Sequence, residues 1–495
     1  MEYKWWAMSV VSVGVLMAAV DSTIVILALL PISEGLSTDL ITAIWVVIAY
    51  LLASTALVLS LGRLADIYGR KRMYNIGFVI FTIGSLLSGL AMSGLSLVGF
   101  RALQGVGAAM LSANSFAILS EAFPARERGR AFGINSIVWG AGSVLGIVLG
   151  GVIITVTSWR FIFLINVPIG ILGTLWAYRT LRESKVSDFR HETLDIPAAL
   201  LFTVGLVALL FGVTWGLLYG WRVAPTLAAL ALSPILFATF VAWELRVADN
   251  PIVDFEFFRN RTFSFSVLSA LLQSLALFSV NFLLIFYLEG IYGLSVLNAA
   301  FLIVPMAVAG AVAGPFGGVL TDRVGARYVA TTGVLIQAAA LLVLSRLTVS
   351  TPLLTVALLE TGFGVGGGLF WPANTSAIMS SSPHGRYGAA SGVMNTLRNT
   401  GMVLSFALGL TLITSAIAPS IVYALFIGKF PGKLPPWEAT QYLGGQGYAF
   451  EISAVLLLVT AGLSLMRGRV ATSSGPPGPA PDPRGRQAEG SPTRS

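Results

Sequence analysis

Long apolar stretches alternate with short polar segments along nearly the whole chain. Each is about as long as the roughly twenty residues that a helix needs to cross about 30 Å of hydrocarbon. Their approximate bounds are 5–30, 41–61, 74–93, 97–120, 131–154, 161–178, 196–218, 224–243, 263–288, 297–320, 328–345, 353–380, 388–415 and 448–466. The pattern predicts an all-α polytopic membrane protein with 14 transmembrane helices, numbered in chain order.

Composition supports the membrane interpretation. Charged residues make up 11% of the chain and hydrophobic residues 56%, with a mean hydropathy of +0.84, whereas soluble proteins carry roughly a quarter of their residues as charges. The chain enters its first apolar stretch within a few residues and shows no small-residue cleavage site, so we expect the first helix to be retained.

Basic residues show which side each loop occupies. Most of the 30 lysines and arginines fall near the chain ends and in the loops that follow even-numbered helices. Because cytoplasmic loops carry an excess of positive charge, we expect a protein of the inner cell membrane with both termini in the cytoplasm. No segment forms a clustered basic face with aromatic partners, which argues against a nucleic-acid partner despite the net charge of +8.

Several kinds of chemistry lack the residues they need. The chain has no cysteine and only two histidines, His191 and His384, too few for a metal cluster. Gly362, Gly364 and Gly367 match a dinucleotide fingerprint but lie inside a predicted membrane helix with no preceding strand. We therefore expect no metal, no cofactor and no enzymatic activity.

An internal repeat divides the chain. After helix 2 the sequence reads Gly62-x-Leu64-x-Asp66-x-x-Gly69, and after helix 10 the same residues recur at the same offsets, 256 positions later, from Gly318 to Gly325. The recurrence indicates two homologous halves. Asp66 lies among cations that it can pair with, which predicts an ion-pair latch; ordinary surface charge is the alternative.

Two charged residues lie inside predicted helices of the first half. Arg101 interrupts the apolar pattern of helix 4, and Asp21 is the ionisable residue within the apolar span of helix 1. An unpaired charge at such a position is costly, so we expect the two side chains to meet. Asp21 beside Arg101 is a candidate proton site, with a purely structural ion pair as the alternative.

Further polar and small residues are candidates for the substrate pathway or for helix packing. Four polar side chains inside helices 4, 12 and 13 are candidates for a substrate cavity: Gln104, Glu360, Asn395 and Arg398. Glu360 could instead be hydrated near the outer surface. Three glycines of helix 5 allow close helix packing: Gly142, Gly146 and Gly150.

Four stretches of the sequence resemble a known family. The loop GRLADIYGRKR resembles the signature of the major facilitator superfamily, and FRALQGVGAAM resembles the helix-4 motif of its drug/proton antiporters. DSTIVILALLP and SWRFIFLINVPIG are similar to the fourteen-helix branch of these antiporters.

The resemblance implies a major facilitator fold with alternating access. Gly62, Asp66, Gly69, Arg70 and, in the repeat, Asp322 would form a conformational latch, while Asp21 and Arg101 would couple protons to transport. It also implies two six-helix bundles, at 1–190 and 251–468, separated by two inserted helices at 191–250. A disordered cytoplasmic tail at 469–495 completes the predicted organisation.

The expected function is proton-coupled export of amphipathic or cationic small molecules by a monomer in the lipid bilayer, with the proton gradient as energy source. Two positions depart from the family pattern: Ile147 stands where helix 5 has a proline, and Ile26 where helix 1 has an asparagine. Ile147 makes a metabolite uniporter or importer the alternative, with a membrane receptor as a further one.

Overall fold

The computed structural model describes residues 2–25, 28–183, 193–248, 250–253, 255–294, 296–383, 386–418, 421 and 432–468. The histidines, Ile26 and the predicted tail at 469–495 lie outside these ranges, as does the predicted boundary at 190–191.

Long helices dominate the described part of the chain. In chain order, α1 to α14 are Tyr3–Ile24, Leu40–Tyr68, Arg70–Gly89, Gly94–Ala122, Arg128–Val156, Asn166–Thr180, Ile196–Tyr219, Ala224–Arg246, Arg261–Gly290, Val296–Val324, Ala326–Leu344, Leu353–Ser380, Tyr387–Ala416 and Pro436–Leu465. In these ranges, 13 helical spans are long and apolar enough to cross a membrane, and the one that contains α6 is counted from Phe161 to Thr180. The remaining one, α3, is 20 residues long and begins with three basic residues. The predicted all-α polytopic fold is confirmed.

Polar residues fix where several helices begin. The side chain of Asp39 accepts a hydrogen bond from the backbone N–H of Thr42 at 3.1 Å, and Asp195 accepts one from Ala198 at 3.0 Å. Ser93 starts α4 in a capping box. Each cap satisfies a backbone donor that the first helical turn leaves unpaired.

The last helix differs from its prediction. The sequence pattern predicts a helix at 448–466 after a long outer loop at 418–446, but α14 already begins at Pro436, so the end of that loop assignment is wrong. The first turns of α14 are buried on one face, at Tyr442 and Gln446 among others. These turns mix polar and apolar residues, so the apolar pattern of the sequence does not predict them as helix. Packing inside the protein stabilises them.

Two other predicted helices are interrupted. Helix 1 ends at Ile24, and a separate seven-residue helix, Leu29–Gly35, follows it. The predicted sixth helix is divided into Phe161–Leu164 and α6. The break places Asn166 at the start of α6, inside the membrane region.

The helices of the two ends of the chain pack in the same order. Helix α1 contacts α5, α2 contacts α4, and α3 contacts both α4 and α6; likewise α9 contacts α13, α10 contacts α12, and α11 contacts both α12 and α14. The first half below means α1 to α6 and the second half α9 to α14. The division of the chain at residues 190 and 250 stays a prediction.

The halves meet mainly through two helix pairs, α2 with α13 and α5 with α10, and α4 with α13 and α5 with α12 make smaller contacts. Helices α7 and α8 pack against each other, and α7 also contacts α2 and α13. We call the side of the membrane where α1 begins and α14 ends the terminal side, and the opposite side the far side. Helices α2 and α10 end on the terminal side, and α5 and α13 begin there.

Candidate functional site

A buried ion pair joins α1 to α4. Nη1 of Arg101 lies 2.7 Å from Oδ2 of Asp21, and the side chains are 1% and 0% exposed. The structure therefore brings together the two intramembrane charges that the sequence singles out. In a medium from which water is excluded, such a pair persists only if further hydrogen bonds satisfy its remaining atoms.

Neutral side chains provide those bonds around Asp21. Nε2 of Gln104 donates to Oδ1 of Asp21 at 2.9 Å, and Nδ2 of Asn166 donates to the same oxygen at 3.2 Å. Both amides also reach Oγ of Ser85, at 3.1 and 3.3 Å. Asp21, Gln104, Asn166 and Ser85 are each 0% exposed.

Arg101 is held from three directions. Its Nη1 also donates to Oε1 of Gln104 at 2.6 Å, and its Nε donates to the carbonyl oxygen of Val46 at 3.2 Å. The guanidinium carbon lies 4.3 Å from the ring centre of Tyr50, a cation–π contact. Arg101 thus connects α4 to α1 through Asp21 and to α2 through Val46 and Tyr50.

Three members of this cluster were not predicted as site residues: Ser85, Asn166 and Tyr50. Asn166 lies in the stretch SWRFIFLINVPIG, and an amide inside an apolar run was an available signal. Ser85 and Tyr50 give no comparable signal, because single serines and tyrosines are common in membrane helices. Gln104, predicted as a cavity residue, lies in the cluster with Asp21.

The chemistry of the cluster follows from its closure. Asp21 carries one charge that Arg101 balances, and a proton on Asp21 would remove that charge and leave Arg101 with only neutral acceptors. The ion pair is therefore the charged link between α1 and α4.

On the terminal side, Asp66 at the end of α2 contacts the beginning of α13. Its carboxylate accepts the backbone N–H groups of Gly388 and Ala389 at 3.0 and 2.9 Å. Nη2 of Arg70 donates to the same carboxylate at 2.7 Å, and Arg70 also pairs with Glu121. Because the first amides of a helix lack partners within it and carry partial positive charge, Asp66 holds the two halves together.

Asp322 at the end of α10 repeats this arrangement with the first half. Its two carboxylate oxygens accept the backbone N–H groups of Gly129 and Arg130, at the start of α5, at 3.0 and 3.1 Å. Gly69 and Gly325, which follow the two aspartates, have φ angles of 101° and 98°, and this conformation favours glycine. The structure therefore closes the terminal side with two matching contacts, which we call the paired latch.

Glycines allow the helices to cross closely beside the paired latch. A Cβ atom on Gly62 would lie 2.5 Å from the carbonyl oxygen of Gly388. Along α5, a Cβ on Gly133 would lie 2.6 Å from the Gly314 carbonyl oxygen, while one on Gly140 would lie 3.3 Å from that of Ala307. The gap between helices α5 and α10 thus widens with distance from the terminal side.

Replacing Gly62 with valine should open the paired latch, because its side chain would collide with the backbone of α13. We expect a cysteine introduced at Ser391, which is 0% exposed, to react about tenfold faster with a maleimide in Gly62→Val; that ratio corresponds to about 1.4 kcal/mol. The chain has no native cysteine, so labelling reports this position alone.

Gly362→Val is the matched control for Gly62→Val, since a Cβ at Gly362 meets nothing within 4 Å. It should leave the labelling of Ser391→Cys unchanged. Equal labelling rates in the two variants would contradict the assigned role of Gly62.

The remaining cavity candidates lie in different surroundings. The Arg398 guanidinium carbon is 5.5 Å from the ring centre of Trp139 on α5 and 5.6 Å from that of Trp371 on α12, so it lies where the halves meet. Nδ2 of Asn395 donates to the Ser391 carbonyl oxygen at 2.9 Å. Glu360 is 0% exposed, so the alternative of a hydrated side chain is wrong for this conformation.

The glycines of α5 contact α1. A Cβ on Gly142 would meet Ala19 and Leu16, and one on Gly146 would meet Thr23 and Val20. Gly150 is buried. The backbone of α5 stays helical from Arg128 to Val156, through the position where the family pattern has a proline.

The described chain is thus a multi-pass helical protein whose two halves meet at a latch on one side. The family model of the Major Facilitator Superfamily matches residues 11–406. The chain belongs to this superfamily, and it is a transporter, not an enzyme.

Similar proteins include exporters and a vitamin transporter. The riboflavin transporter RibZ of Clostridioides difficile (strain 630) is 31% identical over 423 residues, which cover 86% of this chain and 90% of that protein. Multidrug resistance protein 3 of Bacillus subtilis (strain 168) is 32% identical over 394 residues, covering 79% and 76%. The human organic anion transporter MFSD10 shares the fold, with a TM-score of 0.63 at 15% identity and coverage of 93% and 99%.

Proposed function

We propose that this transporter exports amphipathic or cationic small molecules in exchange for protons. The observation that carries the proposal is the Asp21 to Arg101 ion pair, which is enclosed within the first half at 0% and 1% exposure. A buried carboxylate paired with one cation can bind a proton in one conformation and release it in another.

Helix α2 is the mechanical link between this pair and the paired latch. It carries Val46 and Tyr50 next to Arg101 and Asp66 at its terminal-side end. Sixteen residues separate Tyr50 from Asp66, about 24 Å of rigid helix at 1.5 Å per residue. Protonation of Asp21 frees Arg101 from α1, shifts α2 and so favours one state of the latch over the other.

Several finer assignments accompany the proposal. The likeness to multidrug resistance protein 3, together with α7 and α8 between the halves, supports the fourteen-helix drug/proton antiporter branch. We assign the protein to the cell membrane as a monomer, with both termini cytoplasmic and therefore with the terminal side inside. The proton gradient serves as energy source, without a cofactor.

Proteoliposomes with the terminal side outward test the proposal, using the cationic aromatic dye ethidium. An acid interior should drive ethidium into vesicles that hold the wild-type chain, and collapse of the pH gradient should stop it. Asp21→Asn should show a weaker dependence on the pH gradient than the wild type, because the asparagine cannot exchange a proton at this site. An unchanged pH-gradient dependence in Asp21→Asn would refute the coupling role of this residue.

A second candidate is uniport or import of a planar metabolite such as riboflavin. The likeness to RibZ favours it, as does the place of Arg398 between Trp139 and Trp371, since two indole rings and a cation suit a planar aromatic compound. Riboflavin flux that continues at an equal rate after the proton gradient is collapsed would select this function over proton-driven export.

A further inference from the structure

Glu360 is a buried carboxyl group in the second half that takes no part in the ion-pair cluster of Asp21 and Arg101. Its side chain is 0% exposed, and neither of its oxygens has a hydrogen-bond partner among the described residues. It lies seven residues after the start of α12, about 10 Å along the helix at 1.5 Å per residue. An ionised carboxylate is far costlier to bury without a partner than a neutral carboxyl group.

Helix packing relates Glu360 to a known position in the first half. A Cβ on Gly77 of α3 would meet the carbonyl oxygen of Gly107 on α4, and a Cβ on Gly333 of α11 would meet that of Gly366 on α12. Gly77 and Gly333 are 256 positions apart, like the two copies of the loop motif. Gly107 and Gly366 are therefore equivalent positions of the repeat.

A second contact gives the same register. A Cβ on Gly105 would meet the carbonyl oxygen of Tyr50 on α2, and one on Gly364 would meet that of Met306 on α10. Tyr50 and Met306 are again 256 positions apart. Helix α12 thus lies on α10 and α11 as α4 lies on α2 and α3.

This register makes Glu360 the counterpart of Arg101. Arg101 lies four positions before Gly105, and Glu360 lies four positions before Gly364. The same place in the two halves is therefore occupied by a cation in one and by a carboxyl group in the other. In the first half the charge at this place is balanced by Asp21.

The described parts of the helices that contact α12 provide no cation that pairs with Glu360 as Arg101 pairs with Asp21. One of these helices is α4, whose Arg101 is paired with Asp21 and whose Glu121 is paired with Arg70. The others are α5, α9, α10, α11 and α13. The described charged or titratable groups of these five are Arg128, Arg130, Arg261, Tyr287, Glu289, Asp322, Arg323, Arg327, Tyr328, Tyr387 and Arg398. All except Arg398 lie in the first or last turn of a helix.

The guanidinium group of Arg398 lies far from Glu360. It lies against Trp371 of α12, eleven residues beyond Glu360, about 16 Å along the helix axis. Among the described residues no cation is paired with Glu360. The remaining way to bury this group without net charge is to protonate it.

We propose that Glu360 is a second proton-binding site, occupied in this conformation and emptied when the halves move. A proton is a ligand that can neutralise a carboxyl group closed off from solvent. Both enclosed sites are then electrically neutral here, Asp21 through Arg101 and Glu360 through its proton. Built on the proposed proton-coupled export, this assignment means that two protons, one per half, move inward for each molecule exported.

Infrared spectroscopy tests the protonation itself and needs no transported substrate. In lipid at neutral pH, the wild-type spectrum should contain a carbonyl stretch of a protonated carboxylic acid that Glu360→Gln lacks. Glu451→Gln, which removes a surface carboxylate paired with Arg346, should retain that band. A band equally strong in Glu360→Gln and wild type would overturn the proposal, whether or not the protein exports anything.

The driving force tests the stoichiometry. Two protons exchanged for one ethidium cation move one net charge, so a membrane potential alone, without a pH gradient, should drive transport by the wild-type chain. One proton for one cation moves none, so Glu360→Gln should lose transport driven by the potential and keep transport driven by pH. The proposal fails if the wild type does not respond to the potential or if Glu360→Gln keeps that response.

Absence of any pH-driven ethidium transport by the wild-type chain would instead count against the proposed export, while the infrared result would still decide the protonation of Glu360. Glu451→Gln should respond to both driving forces as the wild type does. Failure of each proposal is thus visible in a different measurement.

Discussion

Replacing Arg101 with alanine is expected to lower the stability of the protein by about 3 to 5 kcal/mol, the typical cost of removing one partner of a buried ion pair. Asp21, which is 0% exposed beside Arg101, would be left with only the amides of Gln104 and Asn166 for support. Thermal unfolding of the purified protein in one detergent measures this loss. Arg346→Ala is the matched control, because its pair with Glu451 is 79% and 39% exposed and such pairs contribute about 0 to 1 kcal/mol.

A double variant separates charge from packing in this prediction. Asp21→Asn combined with Arg101→Met removes both charges and keeps most of the side-chain volume, so it should recover much of the stability that Arg101→Ala loses. Proton exchange at this site should stay absent, since neither of the two replacement side chains titrates. If Arg101→Ala unfolds at the same temperature as Arg346→Ala, the ion pair is not the main support of this cluster.

Cysteines at Ser136 and Gly314 are expected to form a disulfide that stops transport. A Cβ atom on Gly314 would lie 3.2 Å from Cβ of Ser136, close to the about 3.5 to 4.5 Å that a disulfide requires. The bond would join α5 to α10 across the two halves and hold the terminal side closed. Transport of ethidium should fall to background after oxidation and return after reduction, because the native chain contains no cysteine.

A disulfide within one half is the control. The hydroxyl oxygens of Ser279 on α9 and Ser405 on α13 are 3.2 Å apart, so cysteines at these positions should also be linked by oxidation. If the halves move as rigid bodies, this second bond leaves transport intact. Equal inhibition by both bonds would contradict the division into halves as well as the locking effect.

The sequence predicts the membrane helices and the charged centres well, and for one physical reason. Apolar runs and intramembrane charges such as Asp21 and Arg101 are conspicuous because hydrocarbon tolerates few exceptions. The start of α14 is less predictable: Tyr442 and Gln446 are buried through contacts with other helices, and those contacts cannot be read from a local run of residues.

Partners made of backbone were also beyond sequence reasoning. Asp66 and Asp322 stand out in the sequence, but the groups that donate to their carboxylates are the backbone N–H groups of Gly388, Ala389, Gly129 and Arg130. Every residue except proline carries such a group. Only the fold shows which amides are near. The same holds for Glu360, whose relation to Arg101 depends on how α12 lies on its neighbours.

Helix α7 contacts both α2 and α13, so the two seams between the halves are covered differently. On that flank an additional helix separates the seam between the halves from the lipid. On the opposite flank, where α5 and α10 diverge, the described helices place no comparable screen, and Val152 and Phe301 are 55% and 54% exposed. Compounds dissolved in the bilayer would therefore reach the space between the halves from the side of α5 and α10. Lipid tails would contact this seam directly and the seam between α2 and α13 less.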